Sequence, residues 1–193
     1  HACFEKYDSV ILSDESIWEM MNRRKKNLWG QLKKEADQGG FTIKIIVYLR
    51  RQDSYADSWW NQRIKKGTLH YCTTPWDQFV TEDVNFINPD YLQSLEKIAA
   101  VFGRENIIVR RFDRKYFLNG SVEEDFMNIL GLKVTEEFCQ VDAEHNQRLA
   151  GNPCEIKRVI NGLSGLSWKE NVFFWNRLLE ISPISAAEYP TDN

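Results

Sequence analysis

Residues 42–49 constrain the fold of this 193-residue chain more than any other segment. Their sequence, TIKIIVYL, is rich in β-branched residues and almost entirely apolar in its second half. Central strands of parallel sheets have this composition, because helices cover both faces of such sheets. The segment therefore predicts a buried parallel strand, which Gly39 and Gly40 separate from a preceding helix.

Strand and helix patterns alternate on both sides of this segment. Before and after it we predict a short buried strand at 8–13, a helix from Ile17 to about Leu32, a helix at 54–66 and a long loop at 67–88. A helix opened by Asn88 and Pro89 and stopped by Gly103 follows, and then a strand at 106–112. Ser121 and Glu124 open the next helix as a capping box, and the last two predicted helices are at 155–161 and 168–180. This order predicts an α/β fold, a three-layer domain with a central, mostly parallel sheet. We assign residues 1–193 to a single such domain, incomplete at both ends.

Composition excludes several classes of protein. Hydrophobic residues make up 42% and charged residues 27%, as in globular domains. The longest apolar runs, among them residues 45–49, are far shorter than the roughly 18 to 20 residues that a membrane-spanning helix needs. The four cysteines lie far apart without metal-ligand spacing, so we expect no metal and reduced thiols in a cytoplasmic protein.

Charge is distributed unevenly along the chain. Residues 1–66 carry 13 Lys and Arg against 9 Asp and Glu, a net of +4, whereas residues 67–193 carry 12 against 19, a net of −7. The total of −3 is too acidic for a general nucleic-acid binder. The basic front third indicates an anionic ligand there, although its Lys and Arg runs also fit the solvated face of a helix.

The predicted ligand site lies at the carboxyl ends of the strands, where parallel α/β sheets bind ligands. Arg50 follows the strand at 42–49, Asp53 or Ser54 caps the next helix, and Ser58 lies about one turn inside it. A forked cation, a helix N-terminus and a hydroxyl together suit a phosphate. The alternative is that Arg50 or Arg51 pairs with a nearby Asp and that Ser58 faces the core.

The segment YLRRQDSYADS at 48–58 resembles the strand–turn–helix of sulfotransferases, in which an Arg at a strand end is followed eight residues later by a Ser. Arg50 and Ser58 match that spacing. The order of the segments at 10–15, 48–58, 90–91, 102–107 and 120–131 is also similar to bacterial sulfotransferase-like proteins. The resemblance covers about residues 8–132 and implies a P-loop-type sulfotransferase domain.

The same resemblance implies a co-substrate and a reaction. The co-substrate is 3′-phosphoadenosine 5′-phosphosulfate, whose 3′-phosphate Arg50, Ser58 and Ser54 hold, and the acceptor is a hydroxyl, most simply of a carbohydrate. Glu15 is the candidate base for that hydroxyl, although an acidic residue in a first helical turn is also favoured by the helix dipole alone. His70, in the long loop, is the other candidate base.

One part of the family pattern is missing. No Gly-rich loop that contains Lys and Thr precedes the segment at 9–13. The most similar sequence, KKGT at 65–68, is predicted to end a helix and does not follow a strand. A non-catalytic binding module of the same fold is therefore the main alternative function. A nucleotide-sugar glycosyltransferase is a weaker one, because the chain has no Asp-x-Asp sequence.

Aromatic residues are concentrated in and just before the long loop. Trp59, Trp60, Tyr71 and Trp76 could stack on a sugar or on adenine. Trp59 and Trp60 cannot share a face of one helix, so at least one of them is predicted to be in the core.

Overall fold

The structure is a computed structural model that describes residues 6–14, 17–18, 27–65, 73–83, 89–135, 138, 149 and 151–182. The chain forms two compact units, each made of two segments. Unit 1 consists of His1–Gln52 and Asn85–Lys133, and unit 2 consists of Asp53–Val84 and Val134–Asn193. Helices of eight residues or more are labelled below.

Unit 1 contains a parallel strand pair and three labelled helices. In chain order these are α1 (Leu28–Gly39), β1 (Ile45–Leu49), α3 (Tyr91–Phe102), β2 (Ile107–Arg111) and α4 (Val122–Ile129). Short 3₁₀ turns at Arg104–Asn106, Arg114–Tyr116 and Leu118–Gly120 flank β2 and precede α4.

The two strands pair in parallel from Ile45 opposite Ile107 to Leu49 opposite Arg111. The amide of Phe112 donates to the carbonyl of Leu49 at 2.8 Å and extends the ladder by one residue. Side chains alternate between the two faces of a strand, so Tyr48 and Arg110 lie side by side on one face. Both strands are half-buried to exposed along their length.

Unit 1 has its apolar core between α1 and α3. Ala36, Ile98 and Phe102 are buried, and the Trp29 ring meets the Phe102 ring edge to face with centroids 5.6 Å apart. Gly40 ends α1 in the left-handed conformation at φ 68°, where its amide bonds to the Ala36 carbonyl. A glycine is needed at that position because a β-carbon disfavours positive φ.

Unit 2 is helical in the residues that the structure describes. It contains α2 (Gln52–Lys65, all but its first residue), a short helical segment formed by Trp76–Gln78 and the π-helix Phe79–Asp83, α5 (Asn152–Asn161) and α6 (Trp168–Ile181). Its buried apolar residues include Ala56, Trp60, Ile64, Phe79, Leu149, Cys154 and Leu178.

Most of the predicted elements are confirmed. The strands at 42–49 and 106–112 form β1 and β2 in slightly shortened form, and their pairing is parallel. The helices at 54–66, 155–161 and 168–180 form α2, α5 and α6. Ser121 caps α4 by accepting the Glu124 amide at 3.2 Å. The chain therefore belongs to the mixed α/β class, and the three-layer arrangement stays a prediction.

The predicted strand at 8–13 is wrong. Residues 8–14 are neither strand nor helix, and Leu12 is 79% exposed. A strand needs a neighbour to bond to, and within the residues that the structure describes this segment has no strand beside it. A three-residue apolar run was therefore insufficient evidence for a buried strand.

The predicted helix from Ile17 through Leu32 is also wrong as one continuous element. Ile17 and Trp18 are helical, but Asn27 has non-helical backbone angles, and its side chain accepts the Gly30 amide at 2.8 Å. Asn27 therefore begins a separate helix, α1, because its side chain satisfies an N–H group that a continuing helix would bond itself.

Three further predictions differ from the structure. The predicted loop at 67–88 contains the helical segment at 76–83, because burial of Phe79 holds that segment against the unit 2 core. Asp90 caps α3 by accepting the Gln93 amide at 2.9 Å, so α3 begins at Tyr91 and Pro89 precedes the cap. Asn88, the predicted cap, lies outside the described residues. The helix α2 begins at Gln52, which puts Asp53 inside its first turn.

None of the described helices has the length and apolar character that crossing a bilayer requires.

Candidate anion-binding site

Arg50 lies where the sequence predicts it, directly after the last residue of β1. Its guanidinium lies over the ring of Phe112, with the guanidinium carbon 4.8 Å from the ring centroid. The two residues meet because Phe112 extends the strand pairing beyond β2 and its side chain faces the same side as Arg50. The contact places a forked cation at the carboxyl end of a parallel strand pair, where anionic ligands bind in such sheets.

Phe112 belongs to a cluster of three aromatic rings in unit 1. Its ring meets Phe117 edge to face at 5.4 Å between centroids and Tyr48 at 6.5 Å. Tyr48 and Phe117 meet at 5.9 Å. Edge-to-face pairs at these distances are favourable and restrict the rings to one arrangement. We call Tyr48, Phe112 and Phe117 the aromatic cluster.

A buried carboxylate anchors the aromatic cluster. The Tyr48 hydroxyl donates to Asp125 at 2.7 Å, Arg110 donates to the same carboxylate through Nε at 3.0 Å and through its Nη2, and the Leu118 amide donates at 3.2 Å. Asp125 is completely buried, whereas the Arg110 side chain is 39% exposed. All four donors hold the carboxylate in its ionised form.

These contacts shift the ionisation of three side chains. The Arg110 guanidinium, more than the other donors, lowers the pKa of Asp125 from 3.8 to about 2. Burial, and then the hydrogen bond to Asp125, raises the pKa of Tyr48 to about 12. The hydrogen bond to Asp125 also raises the pKa of Arg110. Tyr48 is therefore a neutral donor and Asp125 an anion across the physiological range.

Sequence reasoning did not identify Asp125, although a signal was present. Residues Val122, Asp125, Phe126 and Ile129 follow the spacing i, i+3, i+4, i+7 of one buried helix face. An acidic residue on such a face needs a cationic or donor partner. The charged Arg110 inside a predicted strand was the matching signal.

A second guanidinium lies at the end of the neighbouring strand. Arg111 lies over the Tyr116 ring at 4.5 Å, donates to the Tyr116 hydroxyl at 2.9 Å and is 3.7 Å from the Asp113 carboxylate. Leu49 faces Arg111 in the register, so Arg111 projects from the sheet face opposite to Arg50 and Arg110. Arg111 therefore belongs to a separate surface group.

Ser54 and Ser58 lie one turn apart on the same face of α2. The Ser54 amide donates to the Asp53 carboxylate at 2.6 Å, and its side chain is exposed, whereas Ser58 is half-buried. Arg50 belongs to unit 1, and both serines belong to unit 2. The two other predicted site residues, Glu15 and His70, lie outside the described residues.

The predicted aromatic platform is corrected by the structure. Trp60 is in the unit 2 core, as predicted for one of the tryptophan pair, and it donates to the Thr74 carbonyl at 2.9 Å. Trp76 packs against Trp60 at 5.6 Å between centroids. Because Trp60 is almost fully buried, it cannot stack on a ligand. Tyr71 lies outside the described residues.

Unit 2 contains a buried polar network that the sequence did not reveal. Lys157, on α5, is completely buried and donates to the side-chain oxygen of Asn161. Asn161 in turn donates to the Ile64 carbonyl of α2 at 3.1 Å and accepts from Asn171 of α6 at 3.4 Å. Burial lowers the pKa of Lys157 to about 8. The network connects three helices of the unit.

Asn61, on α2, forms a second set of buried hydrogen bonds in unit 2. Its amide group donates to the Leu149 carbonyl at 2.6 Å and to the Cys154 sulfur at 3.3 Å, and all three residues are buried. Cys154 is not part of a disulfide bond. In the described part of the chain, no group of three or more His, Cys, Asp or Glu side chains is arranged to hold a metal ion.

Comparison with known proteins adds one relative. The chain is 33% identical over 138 residues to an uncharacterized protein of Archaeoglobus fulgidus, and the match covers 72% of this chain and 36% of that protein. The chain thus spans about a third of the length of the curated relative that it matches. No protein-family model matches the chain. No solved structure matches it.

Proposed function

We propose that this chain binds the adenosine 3′,5′-bisphosphate part of 3′-phosphoadenosine 5′-phosphosulfate and serves a sulfuryl transfer to a hydroxyl, most simply of a carbohydrate. The observation that supports the proposal is the Arg50 guanidinium at the carboxyl end of a parallel strand pair, lying over Phe112 at 4.8 Å. A guanidinium offers a planar fork of donors that matches two phosphate oxygens. The choice of this particular nucleotide rests on the resemblance of the segment order to that of sulfotransferases.

Each residue has a distinct part in this proposal. Arg50 of unit 1 binds the 3′-phosphate. Ser54 and Ser58 are included only as what the sequence resemblance implies. In the transfer, the bond between sulfur and the bridging phosphate oxygen breaks, and a bond between sulfur and the acceptor oxygen forms. The acceptor proton goes to a base, for which Glu15 and His70 are the candidates.

Titration calorimetry with adenosine 3′,5′-bisphosphate tests the proposal. The variant Arg50→Ala should lose affinity by about tenfold to a hundredfold, since a hydrogen bond to a charged group contributes roughly 1.5 to 3 kcal/mol. The matched control is Arg104→Ala, which removes the same charge from the turn at the amino end of β2. Equal binding by Arg50→Ala and the wild type would refute the assignment.

Two further measurements separate the functions. Ser54→Ala and Ser58→Ala should each weaken binding less than Arg50→Ala, because a neutral donor contributes less than a charged one. Incubation with 3′-phosphoadenosine 5′-phosphosulfate and a carbohydrate panel, followed by mass spectrometry of the products, detects transfer. Binding with no transfer by the full-length protein would favour the non-catalytic module of the same fold.

A further inference from the structure

The contact between Arg50 and Phe112 is a specific arrangement and not a consequence of the strand end alone. A long arginine side chain has many rotamers, and ordering such a side chain costs about 1.5 to 2 kcal/mol. The Phe112 ring provides a favourable electrostatic face for the cation at 4.8 Å.

The Phe112 ring is itself fixed by its neighbours. Phe117 meets it at 5.4 Å and Tyr48 at 6.5 Å, both nearly perpendicular. Tyr48 is fixed by its 2.7 Å hydrogen bond to the buried Asp125. A chain of contacts within unit 1 therefore connects the Asp125 carboxylate, through the aromatic cluster, to the Arg50 guanidinium.

We propose that Phe112 is a positioning residue for Arg50, and that the aromatic cluster holds the guanidinium in its ligand-binding orientation before the ligand arrives. This inference rests on the proposed function of Arg50 as the phosphate ligand. Pre-ordering reduces the conformational entropy that binding must remove. Loss of the ring should therefore weaken binding of the phosphate that Arg50 holds, while other parts of the nucleotide bind as before.

Calorimetry with two nucleotides tests the inference. Adenosine 3′,5′-bisphosphate carries the 3′-phosphate, and adenosine 5′-monophosphate lacks it. Phe112→Leu should bind the bisphosphate about threefold to thirtyfold more weakly, in line with the usual strength of cation–π contacts, and the monophosphate unchanged. Phe112→Tyr keeps an aromatic face and should bind both nucleotides as the wild type does.

A double-mutant cycle separates positioning from general damage to the fold. In the Arg50→Ala background, Phe112→Leu should have no further effect on bisphosphate affinity. The matched control is Tyr116→Leu, which removes the ring beneath Arg111 on the neighbouring strand and should leave affinity unchanged. Additive losses, or equal losses for both nucleotides, would overturn the positioning role.

A ligand-free measurement distinguishes failure of the positioning inference from failure of the proposed function. In the NMR spectrum of the wild type, the Arg50 Hε proton should carry a ring-current shift that Phe112→Leu removes and Tyr116→Leu retains. Absence of that shift overturns the positioning inference, whatever the nucleotides do. If the shift is present but Arg50→Ala binds the bisphosphate like the wild type, the proposed function fails and so does the positioning role that depends on it.

Discussion

Replacing Asp125 by Asn should destabilise unit 1 by roughly 2 to 3 kcal/mol. Asp125 is completely buried and accepts hydrogen bonds from Tyr48, Arg110 and the Leu118 amide. An asparagine of the same shape brings two N–H donors into a site where every neighbour is a donor. At least one pair of donors must then face each other without an acceptor.

The magnitude follows from the ionisation of the carboxyl group. Its pKa falls from 3.8 to about 2 in the folded protein, and one pKa unit corresponds to about 1.36 kcal/mol. The ionised carboxylate therefore contributes roughly 2 to 3 kcal/mol more than the neutral acid. Because the folded pKa lies below the unfolded one, this contribution is complete above about pH 4 and is lost as the pH falls towards 2.

Urea denaturation followed by circular dichroism measures the free energy of unfolding, and hydrogen exchange with mass spectrometry localises the change to unit 1. The matched control is Asp37→Asn, which makes the same substitution on the exposed side of α1, where Asp37 pairs with Lys33 one turn away. An exposed pair of this kind contributes about 0.3 to 0.5 kcal/mol. The Asp125 variant should therefore be clearly less stable than the Asp37 variant.

Two results would refute this reasoning. The first is equal stability of the Asp125→Asn and Asp37→Asn variants at pH 7. The second is a stability difference between wild type and Asp125→Asn that stays constant from pH 4 to pH 2, because the carboxylate contribution must disappear over that range.

Three further predictions concern unit 2, each checked by urea denaturation. Lys157→Met should raise the free energy of unfolding at pH 7, because the buried ammonium is unfavourable and burial lowers its pKa to about 8. The wild type should gain stability as the pH rises from 8 to 10.5, whereas the variant should not. A parallel rise in both proteins would contradict this prediction. Asn61→Leu should cost about 1 to 3 kcal/mol by leaving the buried Leu149 carbonyl without its 2.6 Å donor, unlike the control Gln62→Leu. Ser167→Ala should cost about 1 kcal/mol by removing the capping box of α6, and an equal loss in the exposed control Ser164→Ala would count against the cap.

The predicted elements that the structure confirms have strong local signals. The β-branched run before Leu49 forms β1, Gly40 ends α1 at positive φ, and Ser121 caps α4. These signals come from backbone preferences of single residues and short stretches. They depend little on what packs against the segment, so they can be recognised in the sequence.

The wrong predictions concern segments whose state depends on distant residues. The run at 10–12 resembles a buried strand but is exposed, because strand formation needs a neighbouring strand. The segment at 76–83 resembles a loop but is helical, with Phe79 buried in the unit 2 core. In both cases the local sequence does not show whether another segment packs against or pairs with these residues.

The candidate site also has a part that the sequence predicted and a part that only the structure showed. The sequence predicted Arg50 at a strand end, because β1 has a clear local pattern and Arg50 follows it directly. The contact of Arg50 with Phe112 and the pairing of Tyr48 with Asp125 depend on the register of two strands that are about 60 residues apart. Register is a property of the assembled sheet.

The side of each helix that is buried was likewise decided by tertiary packing. In α5 the structure buries Lys157 and Asn161 and leaves Ile156 and Val159 exposed, the opposite of what hydrophobicity predicts. The chain encodes in its local sequence where most helices and both strands of the sheet form, and that a cation ends the first strand. Which polar groups become buried partners follows only from the assembled fold, because a buried donor is stable where another segment supplies its acceptor.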